Sequence, residues 1–285
     1  MVIDWPARFA DVVDRKTREA MAAILQPLKT VEVGATTEFD AIGNPWTRRL
    51  FDGEFYVSRP PPDIPAISLV FVQSSDFNTG ARNPASLGGG ETDKHLIYEG
   101  LSRVAADGVL AGAETIRGSQ VIFSVWHPEL VALRAALGLP RHPIQIVATR
   151  GGLKFDDTLL LNVPELPVIV IGTPVWVEQM KSDLAQRPWV RTVAAVQPGD
   201  LAGAFRSLRS MGVARISAIG GRTIARAMID AGVVQDLYLT TSPRPGGEPH
   251  TPISPKPLSG TLVVRKHGTG PEAGVIFEHL ILKTG

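Results

Sequence analysis

The stretch that decides the fold is RISAIGGRTIARAMIDAGVVQDLYL, residues 215–239 of this 285-residue chain. A short apolar run meets the glycine pair Gly220 and Gly221, and a segment of helical period follows and stops at Gly232. A second apolar run begins at Val233. Strand, glycine turn, helix and strand in this order are typical of a βαβ unit. The turn is either a phosphate cradle, because backbone N–H groups at a helix start favour anions, or a plain tight turn.

Strands and helices alternate on both sides of this unit. Apolar runs predict strands at 67–73, 107–112, 144–149, 168–173 and 190–196. Helical spacing predicts helices at 91–105, 127–138 and 174–185. A further helix is predicted to follow Pro198 and Gly199, with Asp200 as its N-cap, and to end at Ser210. Residues 261–267 and 274–283 alternate in polarity and predict a closing antiparallel hairpin. The expected fold class is therefore α/β, a three-layer α/β/α arrangement around a mostly parallel sheet with an antiparallel C-terminal edge.

The first 65 residues stand apart from this alternation and are expected to form an N-terminal helix and an irregular extension of the main domain, 66–285. Helical spacing covers 7–29, and residues 30–65 are rich in Pro, Gly and Asp, with RPPPDIP at 59–65 as a stiff linker. Four aromatic residues of the extension are expected to pack it onto the main domain or onto a second subunit: Trp46, Phe51, Phe55 and Tyr56.

Composition excludes several classes of function. The net charge is +1 and no tryptophan lies in a basic run, so neither a nucleic-acid partner nor an anionic membrane surface is expected. The chain has no cysteine, and its six histidines never fall at metal-ligand spacing, so no metal site is expected. The N-terminus lacks an apolar signal core and no run is long enough for a membrane helix, which predicts a cytoplasmic protein.

In open parallel sheets, ligands bind beyond the carboxyl ends of the strands. The loops at that edge are candidate binding loops: 74–90, 112–118, 149–152, 172–174 and 220–223. Asp76 follows a buried strand in the first of them, and it is either an acid/base group or the cap of a local turn. Arg222 opens the helix beside the glycine pair, where it is either a phosphate ligand or an exposed surface arginine.

Five stretches match one family in order and spacing from about residue 66 onward. They are SSDFN (74–78), LSRVAADGVLAGAETIR (101–117), PIQIVATRGGLKFDDTLLL (143–161), PVIVIGT (167–173) and IGGRTIARAMIDAGVVQDLYLTTSP (219–243). With these motifs the chain resembles the reductase domain of bifunctional riboflavin-biosynthesis deaminase/reductases, which has a dihydrofolate-reductase-like fold.

The resemblance implies a reductase that takes hydride from NADPH, similar to 5-amino-6-(5-phosphoribosylamino)uracil reductase, and a homodimer. Asp76 and Asn78 would be the catalytic pair where nicotinamide and substrate meet, and Arg103 would lie near the substrate. The positions that would border the cofactor are Gly112, Ala113, Thr115, Arg117, Thr173, Gly220, Gly221, Arg222 and Thr223. Of these, 220–223 would hold the pyrophosphate through backbone N–H groups.

Departures from the family pattern concentrate at the reactive end. Phe77 and Asn78 replace the glycine and lysine of S-x-D-G-K, and Ile219 and Arg222 replace the glutamate and proline of E-G-G-P. SQVIFSVWHPEL (119–130) stands in place of the stretch that serves the ribosyl phosphate. Two hypotheses remain: a reductase with a changed pyrimidine- or pterin-like heterocyclic substrate, and a non-catalytic NADP-binding or scaffold homologue.

Overall fold

A computed structural model describes residues 3–81, 83–117, 120–156, 158–195, 200–256 and 258–282. Its strands are β1 Lys29–Val33, β2 Phe39–Ile42, β3 Phe55–Ser58, β4 Ala66–Gln73, β5 Gly108–Gly112, β6 Ile144–Ala148, β7 Val168–Gly172, β8 Val190–Ala194, β9 Arg215–Gly220, β10 Asp236–Thr241, β11 Gly260–His267 and β12 Ile276–Leu282.

The helices lie mainly between these strands. They are α1 Trp5–Ala22, α2 Pro45–Phe51, α3 Gly90–Thr92, α4 Ser102–Val104, α5 Ala113–Ile116, α6 Pro128–Ala136, α7 Pro174–Gln179, α8 Lys181–Ala185, α9 Leu201–Ser210 and α10 Arg222–Asp230. A π-helical segment, Asp93–Leu101, joins α3 to α4, and short 3₁₀ turns cover Pro84–Leu87, Leu159–Leu161 and Gly270–Glu272.

Ten strands form one sheet in the order β1-β11-β12-β10-β4-β9-β5-β6-β7-β8. The strands from β10 to β8 in this order pair in parallel, while β12, β11 and β1 add an antiparallel edge. The predicted mostly parallel sheet and its antiparallel C-terminal edge are confirmed. The loops after β4, β9, β5, β6 and β7 therefore meet at one edge of the sheet, where the candidate binding loops were expected.

Two apolar layers cover the sheet because successive side chains of a strand point to opposite faces. Val109 and Ala111 of β5 pack on one face with α1, α2, the π-helical segment, α6 and α7, whereas Leu110 packs on the other with α9 and α10. The predicted three-layer α/β/α arrangement is confirmed. Asp200 caps α9 by accepting from the N–H of Gly203 at 2.9 Å, as predicted, whereas Pro198 and Gly199 lie outside the described residues.

The expectation of an irregular chain over 30–65 is corrected by the structure. β1 pairs with β11 as an edge strand of the main sheet, β2 and β3 form a separate hairpin, and α2 lies between them. The aromatic residues pack on the main domain as expected, since the Phe55 ring lies 4.9 Å from that of Tyr238 and the Phe51 ring 5.4 Å from that of Phe277. The division at residue 65 into two parts stays a prediction.

Two helix boundaries also differ from the predictions. α1 ends at Ala22, well before Pro27, because the chain turns to extended geometry at Ala23 and enters β1 at Lys29. The predicted helix over 174–185 is divided into α7 and α8 at Met180, which leaves helical geometry. Among the described residues, no helix has both the length and the apolar character needed to cross a bilayer.

Candidate functional site

A cavity of about 420 Å³ opens at the carboxyl edge of the parallel strands. Its floor is the meeting point of two turns, one after β5 at Gly112 and one after β9 at Gly221. A Cβ built on Gly221 would lie 3.8 Å from the Cα of Gly112 and 3.3 Å from Cγ2 of Ile224, so the two turns approach within van der Waals contact. Gly221 has φ +81°, a left-handed geometry that favours glycine. A residue with a side chain at 221 would enter this junction.

The N-terminus of α10 faces this cavity without a side-chain cap. Gly221 is its N-cap residue, and no side chain of the described residues accepts a hydrogen bond from its first N–H groups. The Gly221 carbonyl already accepts from Ile224 and Ala225, which closes the first turn. Free N–H groups and the helix dipole together favour an anion at this position. The uncapped turn is compatible with the phosphate-cradle hypothesis, which stays a prediction.

The cavity is lined by both apolar and polar side chains. Ile171, Leu201, Ile224 and Ala227 supply apolar groups, and Thr149, Arg150, Thr173 and Arg117 supply polar groups. The Thr173 hydroxyl accepts from the N–H of Trp176 at 3.3 Å and so caps α7, and Arg117 pairs with Glu114 at 3.0 Å. A lining that combines apolar and polar groups suits a ring system that carries phosphate groups.

Most residues of the predicted cofactor set line this cavity: Gly112, Ala113, Thr115, Arg117, Thr173, Gly221 and Thr223. Gly220 ends β9 directly before the turn, and Arg222 lines a neighbouring groove. The predicted cofactor set lacks Ile224 and Ala227, because helical spacing assigns Ile224 to the face of the helix that packs on the core. Thr149 and Arg150 lie in the loop 149–152, which was predicted to be a binding loop from its position at the sheet edge. The binding roles themselves stay predictions.

The predicted catalytic pair lies after β4, outside the cavity, and holds the loop that follows β10. The Asp76 carboxylate accepts from the N–H of Gly246 at 3.2 Å. The Asn78 amide donates to the Gly246 carbonyl at 3.2 Å and accepts from the N–H of Thr251 at 3.1 Å. Between them Phe77 has φ +62° and an exposed side chain. Asp76 is exposed, whereas both ends of the Asn78 amide are engaged with backbone.

Arg103 is buried and does not line the cavity. It is 2% exposed, it donates to the Ser124 carbonyl at 3.1 Å, and its guanidinium lies 4.8 Å from the centre of the Tyr98 ring. Its predicted contact with substrate stays a prediction without support from this geometry. Among the described residues, no group of three His, Asp or Glu side chains is placed to hold a metal ion.

The carboxyl group of Asp93 is buried near the end of β10, at a position that no sequence motif indicates. Burial raises the pKa of Asp93 to about 6, although the Thr240 hydroxyl donates to its Oδ1 at 2.5 Å, and the charge of Glu272 adds to the rise. Asp93 also begins the π-helical segment. Segments of this type often occur at functional sites.

The Asp93→Asn variant is expected to be more stable than the parent protein at pH 8, by about 2 kcal/mol. The pKa of Asp93 is about 6 in the folded state, above its usual value of 3.8, so burial of the charged carboxylate destabilises the folded state at high pH. This destabilisation decreases as the pH falls from about 7 to about 4, because the carboxylate becomes protonated. Asparagine removes that charge and still accepts from Thr240. Urea unfolding at pH 8 and pH 4 measures the effect, which should vanish at pH 4. Exposed Asp14→Asn is the control, and a destabilised Asp93→Asn protein at pH 8 would contradict the assignment.

The sequence model of the RibD C-terminal domain family matches residues 66–269. The chain belongs to the RibD C-terminal domain family. The matched region runs from β4 into the last hairpin, and it includes both glycine turns and every strand that borders the cavity. No curated protein matches the chain in sequence.

Solved structures of RibD-type proteins share the fold. A pyrimidine reductase-like protein from Corynebacterium diphtheriae is similar over 78% of this chain and 93% of its own, with 21% identity and a TM-score of 0.57. RibD of Acinetobacter baumannii is similar over 78% of this chain but only 59% of its own, with 17% identity and a TM-score of 0.59. The riboflavin biosynthesis reductase of Saccharomyces cerevisiae is similar over 78% and 92%, with 16% identity and a TM-score of 0.54. These likenesses confirm the dihydrofolate-reductase-like fold of the family.

Proposed function

We propose that this chain is an NADPH-dependent reductase of a small heterocyclic substrate, similar to 5-amino-6-(5-phosphoribosylamino)uracil reductase, and that it works as a cytoplasmic homodimer. The observation that carries the proposal is the uncapped start of α10 at Gly221, which faces a cavity of about 420 Å³ at the carboxyl edge of the sheet. The names of two similar proteins, a riboflavin biosynthesis reductase and a pyrimidine reductase-like protein, agree with this reaction class.

The residues present fit a dinucleotide. The Gly221 turn leaves room that a Cβ would fill, and the N–H groups behind it suit a pyrophosphate. The apolar wall of Ile171, Leu201 and Ile224 suits an adenine ring, and Thr149 and Thr173 offer hydroxyl groups beside it. The cavity volume lies within the usual range for cofactor sites, roughly 300–1,000 Å³. When bound, NADPH supplies the hydride.

The protein's own part in the reaction is to position the cofactor and to manage a proton. β4 lies beside β9 in the sheet, so its carboxyl end and the loop with Asp76 lie next to the glycine turn. Asp76 is exposed and lies at the start of this loop, where its carboxylate accepts the hydrogen bond from Gly246. In the proposed reaction the Asp76 carboxyl group takes a proton from solvent and passes it to the substrate, which takes it up together with the hydride.

A dinucleotide titration tests the cofactor assignment. We expect NADPH at about 100 times its Kd to add about 2.7 kcal/mol to the free energy of unfolding, which should raise the Tm by roughly 5 °C. NADP⁺, NADH and NAD⁺ are measured in parallel. Loss of absorbance from reduced nicotinamide in the presence of pyrimidine or pterin substrates then tests the reaction. No rise of Tm with any of the four dinucleotides would refute the proposal.

The Asp76→Asn variant is expected to lower kcat by about 100-fold, because general acid–base groups contribute roughly 10²–10⁴-fold. The amide still accepts a hydrogen bond from Gly246, so the loop and the Kd for NADPH should be unchanged. Steady-state kinetics and a binding titration on the same preparation measure both quantities. An unchanged kcat would remove Asp76 from the reaction, and a weakened Kd would indicate that the variant disturbs the loop instead.

A non-catalytic NADP-binding protein is the second candidate, and one observation favours it. Both ends of the Asn78 amide are engaged with the backbone at Gly246 and Thr251, so the residue at the family's lysine position ties two loops together. Under this alternative NADPH still raises the Tm, but no heterocycle is turned over. Light scattering in solution separately tests the homodimer.

A further inference from the structure

The turn after β4 places a phenylalanine in left-handed backbone geometry. Phe77 has φ +62°, and its side chain is 63% exposed. Two other non-glycine residues of the described chain have a positive φ, Asp52 and His250, and aspartate and histidine take this geometry more readily than a bulky residue does. Neither core packing nor backbone preference therefore explains a phenylalanine here. A strained backbone at an exposed residue points instead to a role of its side chain.

Hydrogen bonds on both sides of the ring hold this turn in place. The N–H of Phe77 donates to the Ser74 carbonyl at 2.9 Å, and the N–H of Ser74 donates to the Asn78 carbonyl at 3.0 Å. The side chains that flank the ring, Asp76 and Asn78, are both bound to backbone groups of the loop after β10. The ring of Phe77 is thus presented to solvent by a turn whose backbone is fixed.

We propose that the Phe77 ring stacks on the heterocyclic ring of the substrate and that Phe77 is a specificity-determining residue of the reductase. The inference rests on the proposed function, in which the substrate binds at the turn after β4. β4 pairs in parallel with β9, so this turn and the glycine turn share one edge of the sheet. Asp76 directly precedes Phe77, so a ring stacked on Phe77 lies next to the proposed proton donor.

The chemistry of an exposed aromatic face selects the class of substrate. A flat aromatic heterocycle gains an offset-stacked contact with the Phe77 ring, and such contacts tolerate different ring substituents. A saturated heterocycle lacks the π-face and gains only apolar contact. The position that the family pattern gives to glycine thus carries a ring-recognition group in this chain, and the selected substrate is an aromatic pyrimidine or pterin.

Titration of 5,6-diaminouracil into the protein saturated with NADP⁺ tests the inference. Phe77→Leu is expected to weaken its binding about ten-fold, because leucine keeps an apolar side chain but has no aromatic face. Phe77→Tyr keeps the face and should bind the probe within about two-fold of the parent protein. The saturated probe 5,6-dihydrouracil should not distinguish Phe77→Leu from the parent protein. The Kd for NADPH should be unchanged in both variants.

Two further variants serve as controls. Phe77→Gly separates the ring from the backbone: glycine takes φ +62° readily, so the Tm should not fall, but 5,6-diaminouracil should bind at least as weakly as it does to Phe77→Leu. Met21→Ala removes a side chain of α1 that is 61% exposed and does not line the cavity. This variant should bind NADPH and the probe as the parent protein does.

The outcomes separate the inference from the function on which it rests. If the parent protein with NADP⁺ does not bind 5,6-diaminouracil, or if Phe77→Leu binds it equally well, the inference fails, while the NADPH titration decides the cofactor assignment independently. If NADPH does not bind, the proposed function fails and the inference falls with it. Conversion of a dimer to a monomer in Phe77→Leu, measured by light scattering, would assign the ring to a subunit contact and overturn the inference. Weaker binding in Phe77→Leu and Phe77→Gly, restored in Phe77→Tyr, supports it.

Discussion

Gly221→Ala is expected to weaken NADPH binding by about 100-fold or more, which corresponds to about 2.7 kcal/mol. The new Cβ would lie 3.3 Å from Cγ2 of Ile224 and 3.8 Å from the Cα of Gly112, inside the junction of the two turns. The left-handed φ of +81° costs an alanine roughly 1–2 kcal/mol, so the turn would also relax and reorient its N–H groups. Titration of NADPH by calorimetry measures the loss.

Gly212→Ala is the matched control for the backbone cost. Gly212 follows α9 with φ +91°, and a Cβ there would meet open space. Both variants should lose a similar amount of stability, but only Gly221→Ala should lose the cofactor. If Gly221→Ala binds NADPH as the parent protein does, the turn is a plain tight turn and the cofactor must contact the protein elsewhere.

Arg134→Ala is expected to destabilise the protein by about 3–5 kcal/mol. Arg134 is 1% exposed and donates to four backbone carbonyls, those of Arg103, Val104, Ala106 and Pro140, at 2.6–3.0 Å. Three of these carbonyls lie at the end of α4 and just beyond it, where a helix leaves acceptors without partners and favours a positive charge. Alanine would remove this shared donor from all four carbonyls, of which that of Arg103 also accepts from the N–H of Ala106 at 3.2 Å, and would open a cavity.

The pKa of Arg134 supports a charged group at neutral pH. Burial lowers it to about 10, and the nearby carboxylate of Asp107 opposes the fall. Arg134→Lys should recover part of the stability, because an ammonium group keeps the charge but lacks the planar fork. Urea unfolding followed by circular dichroism measures both variants beside exposed Arg206→Ala, which should stay within about 0.5 kcal/mol of the parent. A loss below about 1 kcal/mol in Arg134→Ala would contradict the capping role.

The main domain was largely predictable because its signals are local. Continuous apolar runs such as 67–73 and 168–173 indicate strands buried on both faces, and the structure has β4 and β7 there. The extension was harder to predict. Almost every side chain of KTVEV, 29–33, is exposed, and the segment was expected to be irregular. It forms a strand because it pairs with the edge of β11. That pairing depends on a partner more than 200 residues away.

The candidate site was predictable at its glycines and not at its surroundings. Gly112 and Gly221 follow apolar runs, so position in the sequence places both at the carboxyl edge. A Cβ built on Gly221 would lie 3.8 Å from the Cα of Gly112, and this close approach depends on β5 lying beside β9 in the sheet. The same holds for Asn78, whose amide reaches Gly246 and Thr251 only because the loop after β10 folds back over the end of β4.

The sequence by itself determined the class of fold, the sheet edge that carries the candidate site and the glycine turns of that site. These depend on hydrophobic period and on conformations that glycine favours, which are properties of neighbouring residues. Only the tertiary structure decided that Arg150 and Arg226 share one groove, that Arg103 is buried, and that Asp93 carries a raised pKa. Each of these depends on burial and charge supplied by distant segments, and desolvation acts only after the chain has packed.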